Sequence, residues 1–157
     1  MPKQIPCLWF DGRAEEAAQY YTSVFPNSRI TDVSRYTDAG PQPAGTVMVV
    51  AFELDGQPYT ALNGGPEFTF SEAISLLITC RDQAEVDHYW SALTDGGEEG
   101  QCGWLKDRYG LSWQVVPDGM VEMFGDADPT RAARAMTAMM GMKKLDLAAI
   151  QAAADAS

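Results

Sequence analysis

In the stretch "GWLKDRYGLSWQVVP" (103 to 117), which reads as two strands about a tight turn, Gln114 occupies a position where an apolar residue would serve packing better. Alternation along "LSWQVV" puts Leu111, Trp113 and Val115 on one face and Ser112, Gln114 and Val116 on the other. The first set belongs against a helix. The second faces an enclosed space, where a primary amide must find partners for its N–H groups and its carbonyl oxygen. Few other residues offer chemistry. His88, the only histidine, falls within a predicted helix beside Tyr89 and reads as a surface residue, since clefts between sheets are lined by strands. Cys7 and Cys102 fall on predicted strands with no histidine partner and read as buried, inert thiols. "LNGGP" (62 to 66) lacks the lysine and helix start of a phosphate loop and reads as a linker. No G-x-G-x-x-G follows a strand, so no nucleotide-cofactor loop is expected.

Composition narrows the partners. The formal charge of -11 disfavours polyanions, because phosphate contacts need clustered lysine and arginine, so neither nucleic acid nor an anionic membrane is expected. Cys7, Cys80 and Cys102 are odd in number and form no C-x-x-C, which suits reduced thiols in a cytoplasmic protein. No apolar run reaches signal-peptide or membrane-spanning length. At 157 residues and 46% hydrophobic composition the chain is sized for a single domain, 1-157.

An internal echo supplies the elements that must position Gln114. "FDGRAEEAAQYYTSVF" (10 to 25) and "CRDQAEVDHYWSALTDGG" (80 to 97) each leave an apolar strand, pass an Ala-Glu pair and end in an aromatic pair. Ala14, Ala17, Ala18, Tyr21 and Val24 keep helical spacing until Pro26 and Asn27. In the second copy Asp82 is the expected N-cap, and Gly96 and Gly97 the stop. Strand-like "RITDVSRY" and the shorter "EEGQ" follow the helices. Hairpins come next, turning at Asp55-Gly56 and near Arg108-Tyr109-Gly110. The fold class expected is α+β: two βαβββ modules (about 4-66 and 72-117) forming a cleft, with a helical C-terminal tail, 118-157. In the tail, Asp128-Pro129 predicts a helix to about Met142 with Met136, Met139 and Met140 on its apolar face, and Asp146 opens a second helix packing Leu147 and Ile150.

Five stretches, "IPCLWFDGRAEEAAQYYTSVFPNSRI", "TALNGGPEF", "AISLLITCRDQAEVDHYW", "CGWLKDRYGLSWQVVP" and "AMTAMMGMKKLDLAAI", make the chain resemble the vicinal oxygen chelate (glyoxalase/bleomycin-resistance-like) superfamily and, within it, the PhnB-like family labelled demethylubiquinone methyltransferase-like. The resemblance implies metal ligands on the first and last strands of each half. Gln114 stands at the last of these places, Ser75 is the nearest polar residue at the start of the second half, Asn63 ends the fourth strand, and Pro6 to Trp9 offer no imidazole or carboxylate. Ser, Asn and Gln are weak neutral substitutes, so neither a metal nor another cofactor is expected. Three readings of Gln114 stay open: a hydrogen bond to Ser75 or Asn63, a ligand contact, or a metal ligand. Trp9, Trp104 and Tyr59 supply flat apolar walls, and the ligand-binding set implied is Trp9, Asn63, Ser75, Trp104 and Gln114. The family's habit of pairing implies a homodimer. The function expected is the binding of a small molecule; the alternative is an enzyme of isomerase, lyase or dioxygenase type on a small metabolite.

Overall fold

A computed structural model describes residues 3–157. It divides the chain into two compact units, one ending at Phe70 and the other running from Ser71 to Ser157. The echo in the sequence is an echo in topology. The first unit contains β1 (Cys7–Phe10), α1 (Ala14–Val24), β2 (Arg29–Arg35), β3 (Val47–Leu54) and β4 (Gln57–Asn63), in a sheet ordered β1-β4-β3-β2. The second repeats it with β5 (Leu76–Cys80), α2 (Gln83–Thr94), β6 (Glu98–Glu99), β7 (Trp104–Lys106) and β8 (Ser112–Pro117), ordered β5-β8-β7-β6. In each sheet the first strand runs parallel to the last and the other pairings are antiparallel.

Helix α1 packs through the residues that its periodicity selected. Ala14, Ala17, Ala18 and Tyr21 are wholly buried, and the alanines let the helix lie close to β3 and β4, where Val50 and Ala61 are buried. Tyr21 stacks on Phe52 and Phe52 on Tyr59. Burying a side chain of Phe or Val size contributes about 1.5 to 3 kcal/mol. Asp55 and Gly56, both at positive φ (45° and 80°), close the hairpin between the paired residues Leu54 and Gln57. Two such residues match the twist of the flanking strands.

In the second unit α2 buries Val86, Tyr89, Trp90 and Leu93, and the β7–β8 hairpin buries Leu105, Trp113 and Val115 on its strands and Leu111 in its turn. Asp82 caps the helix through Glu85 N (2.9 Å), while Glu85 returns a carboxylate oxygen to Arg81 N (2.7 Å). The strand expected over "EEGQ" contracts to Glu98–Glu99, since Gly100 N instead bonds Trp104 O (2.8 Å) in a turn.

The tail folds with the second unit as α3 (Met120–Phe124), α4 (Pro129–Met140) and α5 (Leu147–Asp155) around Met120, Ala135, Leu145, Ile150 and Ala154. Helix α4 ends at Met140, two residues earlier than its pattern suggests, with Gly141 as its C-cap. Its inward face also differs from the methionine face expected: Ala135 is buried and Met139 half-buried, whereas Met136 and Met140 stand exposed. A small residue at the contact permits a close crossing with α5, and the methionines flank it. Gln83 anchors this tail, donating to Leu145 O (2.9 Å) and accepting from Leu147 N (3.0 Å). Cys102 N and Gly103 N add bonds to Met142 O and Lys143 O, both 2.8 Å. Gly103, at φ 83°, must be glycine: a Cβ there would lie 2.8 Å from Val115 O and 3.1 Å from Leu145 Cδ1.

Candidate functional site

Gln114 lies mid-strand on β8, between Leu77 of β5 and Trp104 of β7 in register. Its Nε2 donates to Ser75 Oγ at 2.9 Å, so one of the three readings has a bond behind it. The contact leaves the amide half-buried and its oxygen available on the face turned away from α2. Trp104 stands beside it, also half-buried, and Leu77 is 58% exposed on the other side. Ser75, Trp104 and Gln114 are thus brought together as a polar pair edged by an indole.

Two residues before Gln114, on the same face, Ser112 is 0% exposed and its Oγ has no hydrogen-bond partner. A buried hydroxyl without a partner costs about 1 to 3 kcal/mol. Its cross-strand neighbour is Lys106, whose Nζ lies 2.5 Å from Glu72 Oε1. The bond to Glu72 holds the Lys106 ammonium above its ordinary pKa, and the same bond holds the Glu72 carboxyl below its own. Glu72, Glu98, Trp104, Lys106 and Ser112 line a groove of about 210 Å³ at the β6–β7 edge.

The turn before β8 sets this geometry. Asp107, 2% exposed, accepts from Tyr109 N (2.8 Å) and Leu111 N (3.1 Å) through Oδ1 and from Trp113 Nε1 (2.8 Å) through Oδ2. One carboxylate therefore shapes the loop and pins the indole on the α2 side. Strand alternation then puts Ser112 and Gln114 on the opposite face.

The other two residues of the expected set lie in the first unit on opposite faces of its sheet. Trp9 is on the face away from α1, donating from Nε1 to Gly65 O (2.8 Å) and meeting Phe68 edge-on at 4.9 Å. A Cβ on Gly64 would strike its ring at 2.4 Å, so "NGG" supplies the room for the indole. Asn63 points to the α1 side. Its Oδ1 accepts from Ala14 N (2.9 Å), the helix's first N–H, and its Nδ2 donates to Val47 O (3.1 Å). Beside it a cavity of about 490 Å³ is bounded by Asp11, Glu15, Arg35, Tyr36 and Gln42.

His88 is exposed on α2, where it meets Tyr89 edge-on at 4.9 Å. Cys7 is exposed, not buried, because it alternates with Leu8 onto the sheet face that α1 does not cover. Cys102 is half-buried in the turn before β7, at φ 58°, and not on a strand. Burial, with Glu85 and Asp82 nearby, pushes the Cys80 thiol up to about 12, which makes it a poor nucleophile. Among the described residues no three His, Cys, Asp or Glu side chains are grouped to hold a metal ion, and no helix is long and apolar enough to cross a membrane.

A model of the family described as "3-demethylubiquinone-9 3-methyltransferase" matches residues 2–116. Among solved structures, a PhnB protein from Bacillus cereus with that same description is 37% identical, with a TM-score of 0.68 over 74% of this chain and 99% of its own. Protein PA1353 from Pseudomonas aeruginosa is 20% identical (TM-score 0.62; 74% of this chain, 98% of that one). The fosfomycin resistance protein FosX from Listeria monocytogenes shares the fold at 11% identity (TM-score 0.53; 74% and 93%). No curated protein sequence matches the chain.

Proposed function

From the premise that the chain belongs to the PhnB-like family described as 3-demethylubiquinone-9 3-methyltransferase, in the vicinal oxygen chelate superfamily, we propose that it binds a small organic molecule on the face of its second sheet that carries Gln114, without a metal. The observation that carries this reading is the combination of a half-buried amide, an indole beside it and an exposed leucine, on three neighbouring strands of one sheet. Apolar walls with few polar groups are how small-molecule sites are built.

Neither group suggested by the relatives fits the residues present. A first-row metal prefers imidazole, thiolate or converging carboxylates, and the residues around Gln114 are Ser75, Leu77 and Trp104, which offer none of these. The family description names methyl transfer, yet neither strand-to-helix turn carries a glycine-rich loop for a nucleotide-like methyl donor. The turn before α1 has the lone Gly12, at φ 77°, with Asn63 taking the first N–H of the helix, and the turn before α2 has no glycine and is capped by Asp82 through Glu85 N. A cytoplasmic homodimer is the setting that suits this reading.

The test is a fragment screen by backbone-amide NMR on the purified protein, with elemental analysis alongside. Compounds are expected to shift the amides of Gln114, Trp104 and Leu77, and metal to be substoichiometric. Gln114→Leu keeps the volume and removes the hydrogen bonds; it should cost about 0.5 to 1.5 kcal/mol of stability and weaken bound fragments by about tenfold. Stoichiometric metal, or hits that ignore Gln114→Leu, would overturn the proposal.

A further inference from the structure

The groove at the β6–β7 edge sets Glu72 and Glu98 against Lys106, while Glu99, which also borders it, accepts from Trp90 Nε1 (3.0 Å) and pairs with Lys143 Nζ (3.9 Å). Acidic residues alone define no site, but here a second feature is independent of them. The Ser112 hydroxyl lines the same groove, is wholly buried and lacks a partner. Buried polar groups are normally satisfied, and one left without a partner in the wall of a groove marks a place where something else can complete the bond once the neighbouring Lys106 side chain swings aside. The groove also contains a demonstration of what it can hold. The ammonium of Lys106 sits on Glu72 at 2.5 Å, next in register to Ser112, with Glu98 facing it across the β6–β7 pair.

We infer that this groove is a binding site for the ammonium end of a small primary amine, which takes the place of the Lys106 ammonium among Glu72, Glu98, Ser112 and the face of Trp104. An ammonium carries three donors in a compact charge. One meets carboxylate, one the lone pair of Ser112, and the remaining positive surface meets the indole, whose face attracts cations. The rest of the amine then extends along Trp104 to its register neighbour Gln114, whose amide oxygen accepts a further hydrogen bond. A carboxylate ligand is disfavoured by the same groups, since it would face Glu72 and Glu98 while Lys106 is already held by Glu72. The net charge of -11 draws cations and repels anions. Lys106 acts as an internal competitor, which lowers the apparent affinity by the fraction of time that it fills the groove.

This inference rests on the reading of the Gln114 face as a ligand surface, and the experiment separates the two. The full chain is titrated with n-butylammonium chloride, with sodium butyrate and neutral n-butyramide as controls, following the Trp104 indole N–H and the Ser112 amide by NMR. Saturable shifts are expected with butylammonium and not with butyrate. Lys106→Met should tighten the amine by roughly threefold or more. Ser112→Ala should weaken it by about tenfold, the size of one charge-assisted hydrogen bond. Ser112→Ala should also melt a few degrees higher than the parent, because it deletes an unpartnered buried hydroxyl, so loss of binding will not be loss of fold. Equal shifts with butyramide, or an affinity that Ser112→Ala leaves unchanged, overturn the ammonium site. If butylammonium fails even on Lys106→Met while a Gln114-dependent fragment still binds, the inference falls alone and the ligand face stands.

Discussion

Asp107 makes the largest structural demand of any single side chain near the site. It keeps a carboxylate at 2% exposure by giving both oxygens to N–H donors, two from the turn and one from the Trp113 indole. Asp107→Ala would leave all three donors buried or half-buried without an acceptor, and is expected to cost about 3 kcal/mol. Urea unfolding checks this: the midpoint should fall with the slope unchanged, and a shift below about 1 kcal/mol would mean that water replaces the carboxylate. The sequence singles out Gln114 and passes over Asp107, for a physical reason. An amide in an apolar alternation violates its local pattern and is visible, whereas an aspartate before R-Y-G looks like any solvated turn residue. Only the return of Trp113 onto the same carboxylate distinguishes it, and that contact depends on the hairpin closing. Asn63 is governed by strand parity: β4 turns it toward α1, where its oxygen takes the first N–H of the helix and its nitrogen donates to Val47 O, and it lines the cavity of the first unit.

At the scale of elements, periodicity identified both helices of the repeats because their buried faces are continuous; Ala14, Ala17, Ala18, Tyr21 and Val24 on α1 are all buried. It served less well in the tail. There the contact face of α4 is made by an alanine, and the conspicuous methionines 136 and 140 lie outside it. What seats the tail is also illegible in one dimension, because Gln83 on α2 reaches Leu145 and Leu147 more than sixty residues away. That bidentate contact resembles a strand pairing made by a side chain: one donor and one acceptor of a single amide serve two backbone groups. Gln83→Ala should therefore loosen the start of α5 before it affects the sheet. Hydrogen exchange is the measurement. The amides of Leu147 to Ile150 should lose about tenfold or more in protection while those of β8 keep theirs. Uniform loss across the second unit would show that tail and sheet open together, and unchanged protection at Leu147 would remove Gln83 from its anchoring role.

For the whole molecule, two features pull in opposite directions. Each chain carries a net charge of -11, which repels a second copy. Each also leaves Phe68, Ile74, Leu77, Val121 and Met140 more than half exposed. A sheet covered by a helix on one face has a second face to cover, and Leu77 on that second face of the β5–β8 pair is the most direct sign of it. The composition announced the charge, but only the register of the strands shows which apolar residues end up outside. If apolar contact decides the balance, two chains associate through these residues, and the repulsion between them is what salt removes. The expectation follows in sign as well as in kind. Light scattering at micromolar concentration should report roughly twice the chain mass, and raising salt from about 0.05 to 0.5 M should tighten the dimer by screening like charges. Leu77→Lys should weaken it, by placing a desolvated charge in an apolar contact. A monomer at both salt concentrations, or a dimer that salt dissociates, would instead assign those exposed residues to something other than a second copy.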